Sequence, residues 1–179
     1  MGIMISPEVL RRYPLFASIE DPLLKKVAMT GEVLSVDKRT WLFREGEDAR
    51  NLYLVLKGEV MIRVSVGTEI LRQIGVLKIG KGEFLGWSAL VEPYTYQLGA
   101  ECIQNCELAR FDGVQLSELM THHPHLGYIF MSRVTQVIGE RLLNLRIRLV
   151  SLVEGGRWEQ IFGKEPYYIF EGGRQSPDG

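Results

Sequence analysis

Residues Leu42–Gly58 read LFREGEDARNLYLVLKG, and residues Gly82–Ala100 read GEFLGWSALVEPYTYQLGA. In the first stretch a glycine (Gly46), a small residue (Ala49), the apolar run Leu52-Tyr53-Leu54-Val55 and a second glycine (Gly58) follow at short spacing. An apolar run held between two glycines predicts a strand with a tight turn at each end. The second stretch passes Gly82 and Gly86 and enters Ser88-Ala89-Leu90, which predicts a glycine turn leading into a short helical segment.

The strand pattern extends outward from there, from Glu32 to Asp112. Val33–Val36, Thr40–Phe43, Leu52–Leu56, Val60–Val64 and Glu69–Ile79 are rich in β-branched and aromatic residues, and Gly99–Phe111 supplies a last pair with its turn at Asn105. Several short strands at this spacing predict a sandwich or barrel. Residues 1–31 form a helical prelude. Ser6-Pro7 and Asp21-Pro22 are helix starts, and Leu23, Leu24, Val27 and Ala28 share one helical face. Beyond the strands, residues 113–153 are predicted helical: a short helix over Val114–Met120, an interruption at His122-His123-Pro124-His125, then a long helix from about Leu126 to Val153. On the long helix Ile138, Leu142, Leu145, Leu149 and Leu152 are spaced four, three, four and three. That stripe suits two helices zipping together as a homodimer, and would equally serve one helix docked on its own domain. The arginines of this segment (Arg133, Arg141, Arg146, Arg148 and Arg157) read as a solvated face. Gly155-Gly156 is expected to end the helix. The remaining tail, 154–179, carries Trp158, Phe162, Tyr167, Tyr168 and Phe170, and is expected to pack in part on the body.

The two opening stretches together resemble the cyclic-nucleotide-binding domain family, which includes the catabolite activator protein and the regulatory subunit of protein kinase A. The resemblance implies a mainly β fold with flanking helices: a jelly-roll β-roll, short N-terminal helices and a long C-terminal dimerisation helix. It also implies a phosphate-binding cassette, a strand–turn–helix that holds the ligand inside the roll. There, backbone N–H groups at the start of a short helix face the phosphate. A glutamate accepts from the ribose hydroxyl, and an arginine pairs with the phosphate.

Carried onto this chain, the cassette is Leu85, Gly86, Trp87, Ser88, Ala89 and Leu90, followed by Thr95, Tyr96 and Gln97. Trp87 stands at the glutamate position, and none of Thr95, Tyr96 and Gln97 is the arginine. A hydrogen bond to a charged group contributes about 1.5–3 kcal/mol. Losing the arginine therefore weakens binding roughly ten- to more than a hundredfold. Lys78, Lys81 and Arg72 are the cations available to compensate. Trp87 reads either as a plug in the pocket or as a stacking surface for a flat ligand, and Tyr94 and Tyr96 as rim or core aromatics.

Composition narrows the alternatives. The chain has 179 residues, is 46% hydrophobic and carries a net charge of −1, so no global charge draws it to nucleic acid or anionic membrane. The N-terminus lacks a secretory pattern, no apolar run is long enough to cross a bilayer, and a cytoplasmic protein is expected. Cys102 and Cys106, four residues apart, read as reduced strand residues. No histidine precedes His122, so a cupin-type metal enzyme, with histidines on its strands, is not expected, nor is any bound metal. About 25 residues follow Glu154, too few for a winged helix-turn-helix, which sets a DNA-binding regulator or a fragment of one behind the other readings. The chain is thus expected to be a non-enzymatic sensory module. It would bind cyclic AMP or another small anionic ligand in the roll and signal through a homodimer helix, with an unidentified protein as a further partner. The alternative is a ligand-free interaction and dimerisation scaffold with a degenerate pocket.

Overall fold

Side chains alternate along a strand, so a run apolar on both faces, such as Leu52–Val55, requires two layers of cover. The computed structural model describes residues 3–67 and 72–154, apart from the side chains of 147–149 and 151–154. In chain order the elements are β1 (Ile3–Met4), α1 (Pro7–Leu10), α2 (Asp21–Met29), β2 (Gly31–Val36), β3 (Trp41–Phe43), β4 (Asn51–Lys57), β5 (Val60–Val66), β6 (Arg72–Ile79), β7 (Phe84–Leu85), a 3-10 turn over Trp87–Leu90, β8 (Gly99–Cys102), β9 (Cys106–Asp112), α3 (Gly113–His122) and α4 (Pro124–Glu154). The strands pair antiparallel in two sheets, ordered β1-β2-β9-β4-β7 and β3-β8-β5-β6. This is the expected β-roll with flanking helices.

Between the sheets lies a core that includes Phe43, Tyr53, Val55, Val60, Ile62, Ile79, Leu85, Tyr96, Ala100 and Leu108. Tyr53 and Val55 contribute to it from β4, while Leu52 and Leu54 of the same strand are buried on its opposite face. On that face Leu52 lies in register with Phe111 of β9. Phe111 packs against Phe16, with ring centroids 5.5 Å apart, and Phe16 meets Phe130 of α4 edge-on at 5.9 Å. The helical prelude is therefore fastened to the roll by an aromatic triple, with Leu10, Leu24 and Val27 buried beside the same layer of helices. Gly46 and Gly58 adopt positive φ (85° and 89°), as turns flanking β4 require.

The helix starts differ slightly from expectation. Ser6 precedes α1 with its backbone carbonyl accepting from Val9 and Leu10, while its hydroxyl bonds to the Glu8 carboxylate. In α2 the cap falls on Glu20, one residue before Asp21, so Pro22 is the second helical residue. The short helix begins at Gly113 and runs to His122, with the break at His123 as expected. Edge strand β1 is an addition: two residues are too few to carry a period. The tip of the expected Glu69–Ile79 strand, Gly155-Gly156 and the aromatic tail lie outside the described residues.

The chain divides into two units, Met1–Thr135 and Gln136–Gly179. In the second unit, Ile138 is partly buried and Leu142 and Leu145 are exposed, while the side chains of Leu149 and Leu152 lie outside the described residues. No helix among the described residues is long and apolar enough to cross a membrane.

Because Phe16 is fully buried and joins two elements, Phe16→Ala is expected to destabilise the fold by about 3–5 kcal/mol, read as a lowered urea midpoint.

Candidate ligand cassette

The cassette begins where β7 ends. Leu85 pairs with Tyr53 of β4, and the chain then turns at Gly86, whose φ of 81° is the left-handed conformation that favours glycine. A Cβ at Gly86 would lie 2.6 Å from the Asn51 carbonyl oxygen, so no other residue fits so close to β4. Trp87–Leu90 follow as a single 3-10 turn, with the Ala89 N–H donating to the Gly86 carbonyl at 3.0 Å. Leu85, Gly86 and Ala89 are buried, whereas Trp87, Ser88 and Leu90 are half-buried. Trp87 is not part of the core between the sheets.

The residue inside the roll is Tyr96. It is 4% exposed, and its ring stacks face to face on Phe43, with centroids 3.7 Å and planes 11° apart. Its hydroxyl accepts from the Asn51 backbone N–H at 3.0 Å and donates to the Asn51 carbonyl at 2.8 Å. The physical need is plain. β7 stops pairing with β4 at Tyr53, which leaves the first residue of β4 without a strand on that side, and one phenol satisfies both of its backbone groups. The loop backbone holds the phenol there: Gly46 N–H donates to the Tyr96 carbonyl at 2.8 Å, and Tyr96 N–H donates to the Glu47 carbonyl at 2.9 Å. Its neighbours face elsewhere. Tyr94 is a rim residue, 49% exposed, Thr95 is half-buried and Gln97 is exposed.

The compensating cations are not inside the roll. Lys78 is exposed and pairs with Glu59 at 3.5 Å, and Arg72 and Lys81 are exposed. Among the described residues no polar or charged residue other than tyrosine and cysteine is buried. Burial pushes the Tyr53 hydroxyl up to about 12 and also raises that of Tyr96, the lost hydration being the largest cause in each case. Burial, reinforced by the neighbouring Cys106, raises the Cys102 thiol to about 12. Both cysteines are free and buried. This is the electrostatic signature of an apolar interior that keeps its groups neutral.

The remaining polar residues gather elsewhere. Glu32, Arg110 and Tyr53 stand in one register row across β2, β9 and β4, and Arg110 pairs with Glu32. A cavity of about 260 Å³ is lined there by Thr30, Glu32, Asn51, Arg110, Asp112 and Gln115. Sequence reasoning gave no sign of it, because its lining, which also includes Met29, comes from five elements. His122 and His123 lie at the α3–α4 junction. The His122 ring bonds to the Glu118 carbonyl (2.8 Å), and the His123 ring meets the Lys26 ammonium (3.0 Å).

Two outcomes are expected. Tyr96→Phe keeps the stack but leaves the Asn51 N–H and carbonyl without their partner, lowering stability by about 1–3 kcal/mol in urea titrations. The Tyr53 phenol holds its proton in the folded state well above 10, where an unfolded tyrosine begins to ionise. Its contribution is therefore intact below pH 10 and is lost as pH rises toward 12, by at most about 1.4 kcal/mol per pH unit. Urea midpoints between pH 8 and 11.5 should fall at the alkaline end, and less steeply in Tyr53→Phe.

The family profile of the cyclic nucleotide-binding domain matches residues 33–123. A Geobacter metallireducens crystal structure, named for cyclic nucleotide binding, is 32% identical, with a TM-score of 0.70, and the match covers 78% of this chain and 99% of that one. The PKA regulatory domain of Toxoplasma gondii, crystallised with cAMP, is 24% identical over 63% of this chain and 42% of its own, with a TM-score of 0.56. The catabolite activator protein of Thermus thermophilus is 18% identical over 78% of this chain and 63% of its own, with a TM-score of 0.61. These last two share the fold. A Rhodopseudomonas palustris protein named as a potassium channel is 20% identical over 150 residues, and the chain spans about a third (34%) of its length. With half its length matched by the profile, the chain belongs to the cyclic nucleotide-binding domain family and has its β-roll fold.

Proposed function

We propose that this chain is a regulatory module that works without a cyclic nucleotide, as a homodimeric interaction domain. The observation that carries the reading is Tyr96, one of the three residues (Thr95, Tyr96 and Gln97) among which the phosphate-binding arginine is expected. It is buried, stacked on Phe43 and bonded through its hydroxyl to Asn51. A cyclic phosphate entering the roll would have to displace this ring and would meet no guanidinium. Without a cation the loss is again ten- to more than a hundredfold in affinity, and the broken phenol contacts add to it. Trp87 offers the ribose no acceptor, since an indole only donates.

A small anionic effector in the cassette is the second reading. The retained left-handed turn at Gly86, leading into the 3-10 turn, favours it, because that backbone is the part of the cassette that does not depend on charge. Desolvating an anion in an apolar roll weighs against it. In either reading the module acts by binding rather than by chemistry, in the cytoplasm, with α4 as the contact between copies. The exposed Leu142 and Leu145 on the stripe that continues to Leu149 and Leu152 support that role for α4.

Calorimetric titration with cyclic AMP and cyclic GMP tests the reading. No heat up to millimolar ligand is expected, and micromolar binding of either would overturn it in favour of a nucleotide sensor. For the dimer, light scattering should give twice the monomer mass at micromolar concentration. The pair Leu142→Lys and Leu145→Lys should give a monomer with unchanged circular dichroism. A monomeric parent chain would remove the zipper.

A further inference from the structure

We infer that Tyr96 is a positioning residue that pins the cassette to the start of helix α3. The inference rests on the reading that no cyclic nucleotide occupies the cassette. Its basis is an unbroken run of backbone contacts. The Tyr96 hydroxyl holds both the N–H and the carbonyl of Asn51. Asn51 stands in register with Asp112, the last residue of β9. The carbonyl of the preceding residue, Arg50, accepts from the Gly113 N–H at 2.8 Å, and Gly113 is the first residue of α3. Asp112 then caps that helix, its carboxylate accepting from the Gln115 N–H at 2.9 Å.

The cassette reaches the same point by a second route. A Cβ on Gly113 would lie 2.7 Å from the Ala89 carbonyl oxygen and 3.0 Å from that of Arg50. The 3-10 turn, the residue just before β4 and the first residue of α3 thus meet at a place where only a hydrogen atom fits. Moving Tyr96 frees the end of β4, and the Arg50 carbonyl that orients Gly113 moves with it. Glycine at 113 answers to this close approach rather than to backbone strain, since its φ lies outside the left-handed region.

The test is amide hydrogen exchange by NMR on the full chain, comparing Tyr96→Phe, Gly113→Ala and Ile79→Val. The last thins the same core from β6, in the other sheet. In Tyr96→Phe the amides of Gly113 and Gln115 should exchange about tenfold faster than in Ile79→Val, after correction for global stability. Coupling is reciprocal, so Gly113→Ala should speed exchange at Asn51, Tyr96 and Gly46. If Tyr96→Phe loosens Asn51 alone, or speeds α3 no more than Ile79→Val does, Tyr96 is only a filler and the pin is overturned. That comparison decides the matter even if Gly113→Ala does not fold. Cyclic AMP binding to the parent chain would instead sink the ligand-free reading, whatever these amides do.

Discussion

Strand β4 is buried on both faces, and the remainder of the first unit is arranged by that demand. Its inward residues, Tyr53 and Val55, need the second sheet to cover them, and its outward residues, Leu52 and Leu54, need the helices. Phe16, Phe111 and Phe130 answer the second demand from the α1–α2 connection, β9 and α4. A strand buried in this way must also have every backbone group bonded, because no water reaches it. At Asn51 the neighbouring strand has already turned away, and the Tyr96 hydroxyl supplies the missing partner for both backbone groups.

This arrangement gives the departure from the family's charge pattern a physical shape. A buried arginine is tolerable in an apolar roll when an anion pairs with it, and costly when none does. Tyr96, one of the three residues among which that arginine is expected, has its hydroxyl satisfied by Asn51 and asks for no anion. The ring contributes area and a stack, and the hydroxyl closes the ladder at a point where apolar side chains have no donor to offer. Trp87, which the family resemblance sets at the ribose-binding glutamate, lies half-buried and outside the core between the sheets.

Much of the architecture was legible in the chain. The glycines at 46 and 58 announced turns because their positions demand positive φ. The apolar run Leu52–Val55 announced a strand because nothing else of that length needs cover on both sides. The break before the long helix was legible at His123-Pro124. What escaped were features of too few residues or of too many elements. β1 is two residues long, and the polar cavity beside Asn51 and Arg110 draws its lining from five elements. Among Thr95, Tyr96 and Gln97, sequence alone could not say which one turns inward, since all three sit in a loop without a period.

By itself the sequence determined the β-roll, through its strand runs and glycine turns, and the helices that flank it. These are properties of residue type and spacing along a line. Only the tertiary structure decided that Tyr96 is the residue inside, that its hydroxyl serves Asn51, and that Gly113 meets Ala89 at the root of α3. Those contacts join residues as many as 45 positions apart in the chain. They follow from where β7 stops pairing with β4, a backbone hydrogen-bonding fact that no side-chain pattern encodes.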